Sequence, residues 1–196
     1  VTLSGQELPY QLRSSIISER VLRIQEGCDF QLNRGYISTQ IGIGRILAEN
    51  SSFSGGGSIW LRNANQISNL TNCNLEGVSV QCDYGVQALE NCEFHLSGVS
   101  CQWGGVATVS NCVFSDLRSY PFNLYCGSVE LENNAFENCE IEAIAVAGER
   151  WRHDVTLSDQ GLPYHLIGDI STERTIRIEP GCHFDMYDHG LGGRII

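Results

Sequence analysis

Residues 1–32 read VTLSGQELPYQLRSSIISERVLRIQEGCDFQL, and residues 155–186 read VTLSDQGLPYHLIGDISTERTIRIEPGCHFDM. Aligned without a gap at an offset of 154 residues, 17 of the 32 positions are identical. A finer repeat lies between the two copies. Asn50-Ser51-Ser52-Phe53, Asn72-Cys73-Asn74-Leu75, Asn91-Cys92-Glu93-Phe94, Asn111-Cys112-Val113-Phe114 and Asn133-Asn134-Ala135-Phe136 share one pattern. Gly27-Cys28-Asp29-Phe30 and Gly181-Cys182-His183-Phe184 fill the same slot in the long copies. From Gly27 onward the steps are 23, 22, 19, 20, 22 and 48 residues, seven units of 22 if the last step hides one weak unit.

Such a unit, with short alternating runs and no sustained 3.6-residue period, is one coil of a solenoid. Gly57-Ser58-Ile59-Trp60-Leu61-Arg62 and Gly77-Val78-Ser79-Val80-Gln81-Cys82 are runs of this kind, punctuated by Gly and Asn. Parallel strands stacked about 4.8 Å apart place identical slots above one another. The Asn slot then becomes an internal ladder, because Asn tolerates a left-handed turn and its amide can pair along the stack. The Phe slot becomes an aromatic stack. The expected fold is all-β, a right-handed single-stranded parallel β-helix of about nine coils.

Composition narrows the partners. With 12 Arg, no Lys and 23 acidic residues the net charge is −11, which disfavours nucleic acid and anionic membrane surfaces. Without lysine, no Schiff base or lysine-centred mechanism is open to the chain. No apolar run approaches the length of a membrane span.

Two segments carry a family resemblance: Leu8-Pro9-Tyr10 through Phe30, and Leu162-Pro163-Tyr164 through Ile178-Glu179-Pro180-Gly181-Cys182-His183-Phe184. They resemble the "LPY…tLtIepGv.v.F" opening module of right-handed parallel β-helix surface proteins of bacteria. The Asn-Cys-x-Phe coils are similar to the pectate-lyase-like superfamily. The resemblance covers nearly the whole chain and implies an exported, extracellular or cell-surface protein. It speaks to fold more than activity, since this fold hosts lyases, hydrolases, adhesins and inert stalks.

Two stretches are expected along one solenoid: 1–148, a first module of Asn/Cys/Phe-stacked coils, and 149–196, the start of a second, truncated copy. Glu149 to Asp154, a charge cluster with Trp151, is the expected joint. The final segment, Asp188 to Ile196, resembles Gly42 to Leu47 and stops where another coil is expected. An open end of this kind exposes strand edges and suits end-to-end self-association or a longer native chain.

Cys73, Cys92 and Cys112 fall in one slot, and Cys82, Cys101 and Cys126 in a second. Both slots read as inward-facing thiol stacks in which Cys acts as a small hydrophobe. Disulfides are an alternative, although parallel Cβ vectors suit a bridge badly. Zinc is a weaker one, because no Cys-x-x-Cys or His pair has ligand spacing.

Enzymes with the resembling fold cluster Asp or Glu on adjacent coils, often with Lys or Arg and Ca²⁺. The chemistry needs two carboxylates at a glycosidic bond, or a base and a cation beside a sugar C–H. Two outward rows follow from the spacing here: Trp60, Gln81, Ser100, Tyr125, Ala145, and then Arg62, Asp83, Gln102, Gly127, Ala147. Asp83 is the single acid, with Arg62 one coil away, so a surface ion pair accounts for them better than catalysis. Trp60, Tyr84, Trp103 and Tyr125 share this face and, with Arg62 and Asp83, are the candidate ligand-binding residues. Rings stack on sugar faces while polar neighbours take the hydroxyls; alternatively Tyr84 and Trp103, each beside Gly, cover a turn corner. A second cluster, His183, Asp185, Asp188 and His189, admits a metal or catalytic reading, weakened because the first copy carries Asp29 and Gln31 in its place. No cofactor, metal or catalytic residue is expected.

The functional expectation is a non-catalytic stalk or adhesion segment of a larger exported protein, touching polysaccharide or cell-surface glycan. The alternatives are a polysaccharide lyase or glycoside hydrolase with part of its site elsewhere, and an array that assembles end to end.

Overall fold

A computed structural model describes residues 1–196 except 7, 42, 43, 149 and 188. The described residues form strands and turns with no helix, and every strand pairing is parallel. Glu149 of the expected joint, and Gly42, Ile43 and Asp188 of the two similar segments, lie outside the described residues.

The chain winds as a β-solenoid of about nine turns with three faces. One inward ladder runs Leu3, Ile24, Ala48, Leu70, Leu89, Val109, Leu131. The second runs Tyr10, Phe30, Phe53, Leu75, Phe94, Phe114, Phe136. The third has nine rungs: Ile16, Ile37, Ile59, Val80, Val99, Phe122, Ile144, Tyr164, Phe184. Alternation along each strand points these residues inward, and burying each large side chain stabilises the fold by about 1.5–3 kcal/mol. The expected ring stack is present: Phe30 on Phe53 at 5.4 Å, Phe94 on Phe114 at 4.6 Å, with Leu75 interrupting.

The Asn ladder turns the corner between the first and second faces. Asn50, Asn72, Asn91, Asn111 and Asn133 all have φ between 47 and 53°, the left-handed region Asn tolerates. Asn72 Nδ2 donates to Asn50 Oδ1 at 3.1 Å. A second left-handed corner follows the three-residue second-face strands, and there Gly77, Leu96, Asp116 and Asn138 share no residue type.

The residue after each corner Asn does more than fill space. Cys92 Sγ accepts the N–H of Cys73 and donates toward the carbonyls of Leu70 and Glu90, both at 3.3 Å. Cys112 does the same for Cys92 N, Leu89 O and Ser110 O. Asn134 does it for Cys112 N and Val109 O. The thiol stack is buried, as the spacing suggests, yet it is also a hydrogen-bonding column. All nine cysteines are free thiols, and seven are buried.

Three expectations are corrected. The Asn ladder is not internal: Asn72, Asn91, Asn111 and Asn133 are exposed, because a left-handed corner turns their side chains toward solvent. Cys126 does not continue the Cys82–Cys101 column: Leu124 pairs with Cys101, and Cys126 sits two residues later in a left-handed corner at φ 67°. The six-residue turn from Asp116 to Pro121 displaces the count. The 48-residue step does hide a unit, but it also carries one face more than two whole turns. Tyr10 lies on the second face in the first turn, whereas its counterpart Tyr164 pairs with Ile144 on the third face in the eighth. The second copy therefore joins seven turns and one face later. The first two ladders end at Ser128–Glu132 and Ala135–Glu137, while Arg150–Trp151, Val155–Leu157, Ile170–Ile178 and Leu191–Ile195 form a separate four-stranded sheet.

Candidate functional site

The outward side of the third face carries the candidate residues. Its first row runs Ser38, Trp60, Gln81, Ser100, Asn123, Ala145, His165, Asp185. In the next, Asp83 pairs with Gln102 and Gln102 with Tyr125. Tyr125 thus belongs beside Gln102, not beside Ser100, and Gly127 is not in the row. The long turn before Phe122 that displaces Cys126 moves Tyr125 with it.

Trp60 is packed from two sides. Tyr36 stacks on its ring at 4.5 Å and 7°, and the Arg62 guanidinium carbon lies 4.6 Å from its centroid. Tyr36 comes from the turn before and Arg62 reaches toward the turn after, so the indole offers an edge more than a face. Arg62 Nε meets Asp83 Oδ2 at 2.9 Å, and Gln81 Nε2 donates to both Asp83 oxygens at 2.9 and 3.1 Å. The Asp83 side chain is fully buried. Burial raises its pKa above the ordinary carboxylate value, against the hydrogen bonds from Gln81 and Arg62 and the Arg62 charge. Its polar contacts are with Arg62 and Gln81, and no second acid joins them among the described residues.

Tyr84 and Trp103 occupy the corner that leaves this face, at φ 60° and 53°, each followed by a left-handed glycine. The corner after Gln102 has one residue more than the corner after Asp83, so Gly85 pairs with Gly105. The extra residue projects Trp103, which is 47% exposed, while Tyr125 is 40% exposed.

These two rings flank a cleft of about 170 Å³ whose other wall comes from the joint: Arg150, Trp151, Arg152 and His153. Gln102 also lines it. Trp151 is buried and donates from Nε1 to Ala147 O at 3.0 Å, which anchors that wall. A Cβ on Gly104 would approach the His153 ring at 3.1 Å, so glycine lets the Trp103 corner close against it. Arg150 Nε contacts Glu173 at 3.3 Å, and no ion pair within 4.0 Å joins Arg152 or His153 to an acid among the described residues. Of the six candidates, the structure brings Trp103 and Tyr125 to the cleft, keeps Asp83 and Arg62 paired one and two turns before Trp103, leaves Tyr84 on the corner one turn before it, and commits Trp60 to packing. Arg150, Arg152 and His153 were legible only as a charged joint.

The His183 cluster is rearranged. His183 Nε2 contacts Asp185 Oδ1 at 3.3 Å, His189 instead faces Asp169, and Asp188 lies outside the described residues. The other Asp185 oxygen meets Nε2 of His165 at 3.1 Å, and Nδ1 of His165 meets the Tyr120 hydroxyl at 3.3 Å. The repeat carried a signal for this: Gln11 and Gln31, paired at 3.4 Å in the first copy, are replaced by His165 and Asp185. No cluster of three or more His, Cys, Asp or Glu suited to a metal ion occurs among the described residues.

The sequence profile of the right-handed beta helix region matches residues 38–160, more than half of the chain. The chain belongs to this right-handed β-helix family. No curated protein and no solved structure matches the chain significantly. The matched β-helix region contains the whole cleft, with Trp103 and Tyr125 on its coils and Arg150 to His153 near its end.

Proposed function

We propose that this chain is a rigid, non-catalytic β-helix segment of an exported or cell-surface bacterial protein, and that it holds a glycan in the Trp103–Tyr125 cleft. One observation carries the reading. Two large exposed aromatic rings border one cleft on a stiff parallel sheet, with Gln102 between them. Stacked strands fix the ring positions before a ligand arrives, so little ordering entropy opposes binding.

The competing reading, a lyase or glycosidase, needs an acid free to take or give a proton. Asp83 is buried, and both its oxygens are occupied by Gln81 and Arg62. The test is affinity electrophoresis of the full chain through gels containing a panel of neutral and acidic polysaccharides. Retardation by one polymer, lost in Trp103→Ala and in Tyr125→Ala but kept in Trp60→Phe, supports the cleft. Migration unchanged in every gel overturns it.

A further inference from the structure

We infer that the cleft selects a single anionic sugar ring, an end group bearing a carboxylate or sulfate, and does not grip a run of sugars along the solenoid. The inference rests on the glycan reading above and adds the charge and the size of what enters.

Charge is the first argument. The chain carries 23 acids against 12 arginines, so its surface as a whole repels anions. Arg150, Arg152 and His153 nevertheless meet at this one aromatic cleft. A guanidinium presents a planar fork of donors that matches a carboxylate or sulfate edge, which neutral hydroxyls do not exploit. Arg150 already holds a carboxylate, that of Glu173, at 3.3 Å from Nε. Arg152 has no such partner among the described residues, which leaves its charge available to a ligand.

Size and shape are the second argument. About 170 Å³ is well below the roughly 300–1,000 Å³ of pockets that enclose drug-sized ligands. One six-membered ring fits that space, stacked on Trp103 or Tyr125. The buried Trp151 and its neighbours stand across the row beyond Tyr125, so a sugar lying on Gln102 and Tyr125 meets a wall. A chain end enters such a cleft more readily than the middle of a polymer.

The probes are methyl glycosides in matched pairs: a glucoside against its glucuronide, a galactoside against its galacturonide, and a glucoside against its 6-sulfate. Binding to the full chain is read by saturation-transfer NMR and titration calorimetry. At least one anionic member is expected to bind ten-fold or more tighter than its neutral partner. Arg152→Gln is expected to abolish that preference, and added salt to shrink it. Arg152 lies on the surface, and the circular dichroism of the variant checks its fold. Equal binding of both members of every pair, still lost in Trp103→Ala, would overturn the anion selectivity and leave the aromatic cleft standing. Tight binding of internal polymer segments with none of the methyl glycosides would overturn the end-group reading. No glycoside binding and no polymer retardation would remove both.

Discussion

Cysteine 92 separates two accounts of the buried thiol column. If Cys92 only fills volume, Val should replace it at little cost, since both are small and apolar. If it works as a hydrogen-bonding group, Ser should be the better substitute. The structure supports the second account. Cys92 Sγ accepts Cys73 N–H at 3.5 Å and donates to two carbonyls at 3.3 Å, all at 1% exposure. Cys92→Ala removes about 1 kcal/mol of buried apolar transfer and leaves the Cys73 amide without an acceptor. An unsatisfied buried donor costs about 1–3 kcal/mol, and the low half of that range applies because sulfur is a weak acceptor to lose. The expected loss for Ala is therefore about 2–3 kcal/mol. Val restores the volume but not the acceptor, and about 1–2 kcal/mol remains. Ser keeps both roles, as Ser97 already does at the second corner, where it accepts Val78 N–H at 2.9 Å and donates to two carbonyls at 2.9–3.0 Å, and Ser51 donates in the same way after Asn50. Cys92→Ser should cost about 1 kcal/mol or less. Guanidinium unfolding of the three variants, compared at equal slope, gives the order. Val as stable as wild type with Ser the worse substitute would refute the argument.

Three further outcomes follow from the same geometry. Leu96 adopts φ 52° and is 53% exposed, so Leu96→Asn should relieve a left-handed strain at little burial cost and raise stability by about 0.5–1 kcal/mol, read as a rise in the unfolding midpoint. Iodoacetamide at neutral pH should label Cys139 first and the seven buried thiols last, as peptide mass mapping will show. Cys182, half-buried, should react more slowly than Cys139, because burial above all and the nearby Asp159 raise its pKa. Among the buried thiols, Cys92 is bonded by Cys112 in the sense that favours thiolate, yet its own bond to Cys73 and its burial push it up to about 12. Asp83 has a raised folded pKa, so its contribution to stability is full below the unfolded carboxylate value and falls as pH rises through the folded one. The stability of Asp83→Asn relative to wild type should therefore improve between pH 3 and neutrality. A difference that moved the other way would mean that the Arg62 pair outweighs burial.

What the sequence makes legible depends on whether one residue type does one job at a fixed spacing. The Asn corner does: the left-handed backbone favours Asn, the spacing stays within 19–23 residues, and coil count and strand stacking follow from it. The second left-handed corner is just as regular in space and invisible in sequence, because Gly, Leu, Asp and Asn all occupy it. Register fails where a turn changes length. Six residues between Ser115 and Phe122, against three between His95 and Val99, displace every residue that follows, and so Tyr125 and Cys126 are misplaced by their spacing.

The cleft was hidden for a different reason. An offset of 154 residues measures distance along the chain and says nothing about angle around the axis. Tyr164 repeats Tyr10 in sequence yet stands on another face, and two of the three ladders stop where the second copy begins. The chain between Val146 and Val155 has to cross from one sheet to the next, and in crossing it carries Arg150, Trp151, Arg152 and His153 past the projecting Trp103. A charge cluster that reads as a linker is thereby set against Trp103, 47 residues before Arg150, and Tyr125, 25 residues before it. In a whole-turn repeat, each coil would instead stack on its counterpart and leave no wall across the row. The mismatch of one face is what sets the joint beside Trp103 and Tyr125 to make this concave site, and substitutions at the joint should therefore alter ligand selection while leaving the Asn and Phe ladders intact.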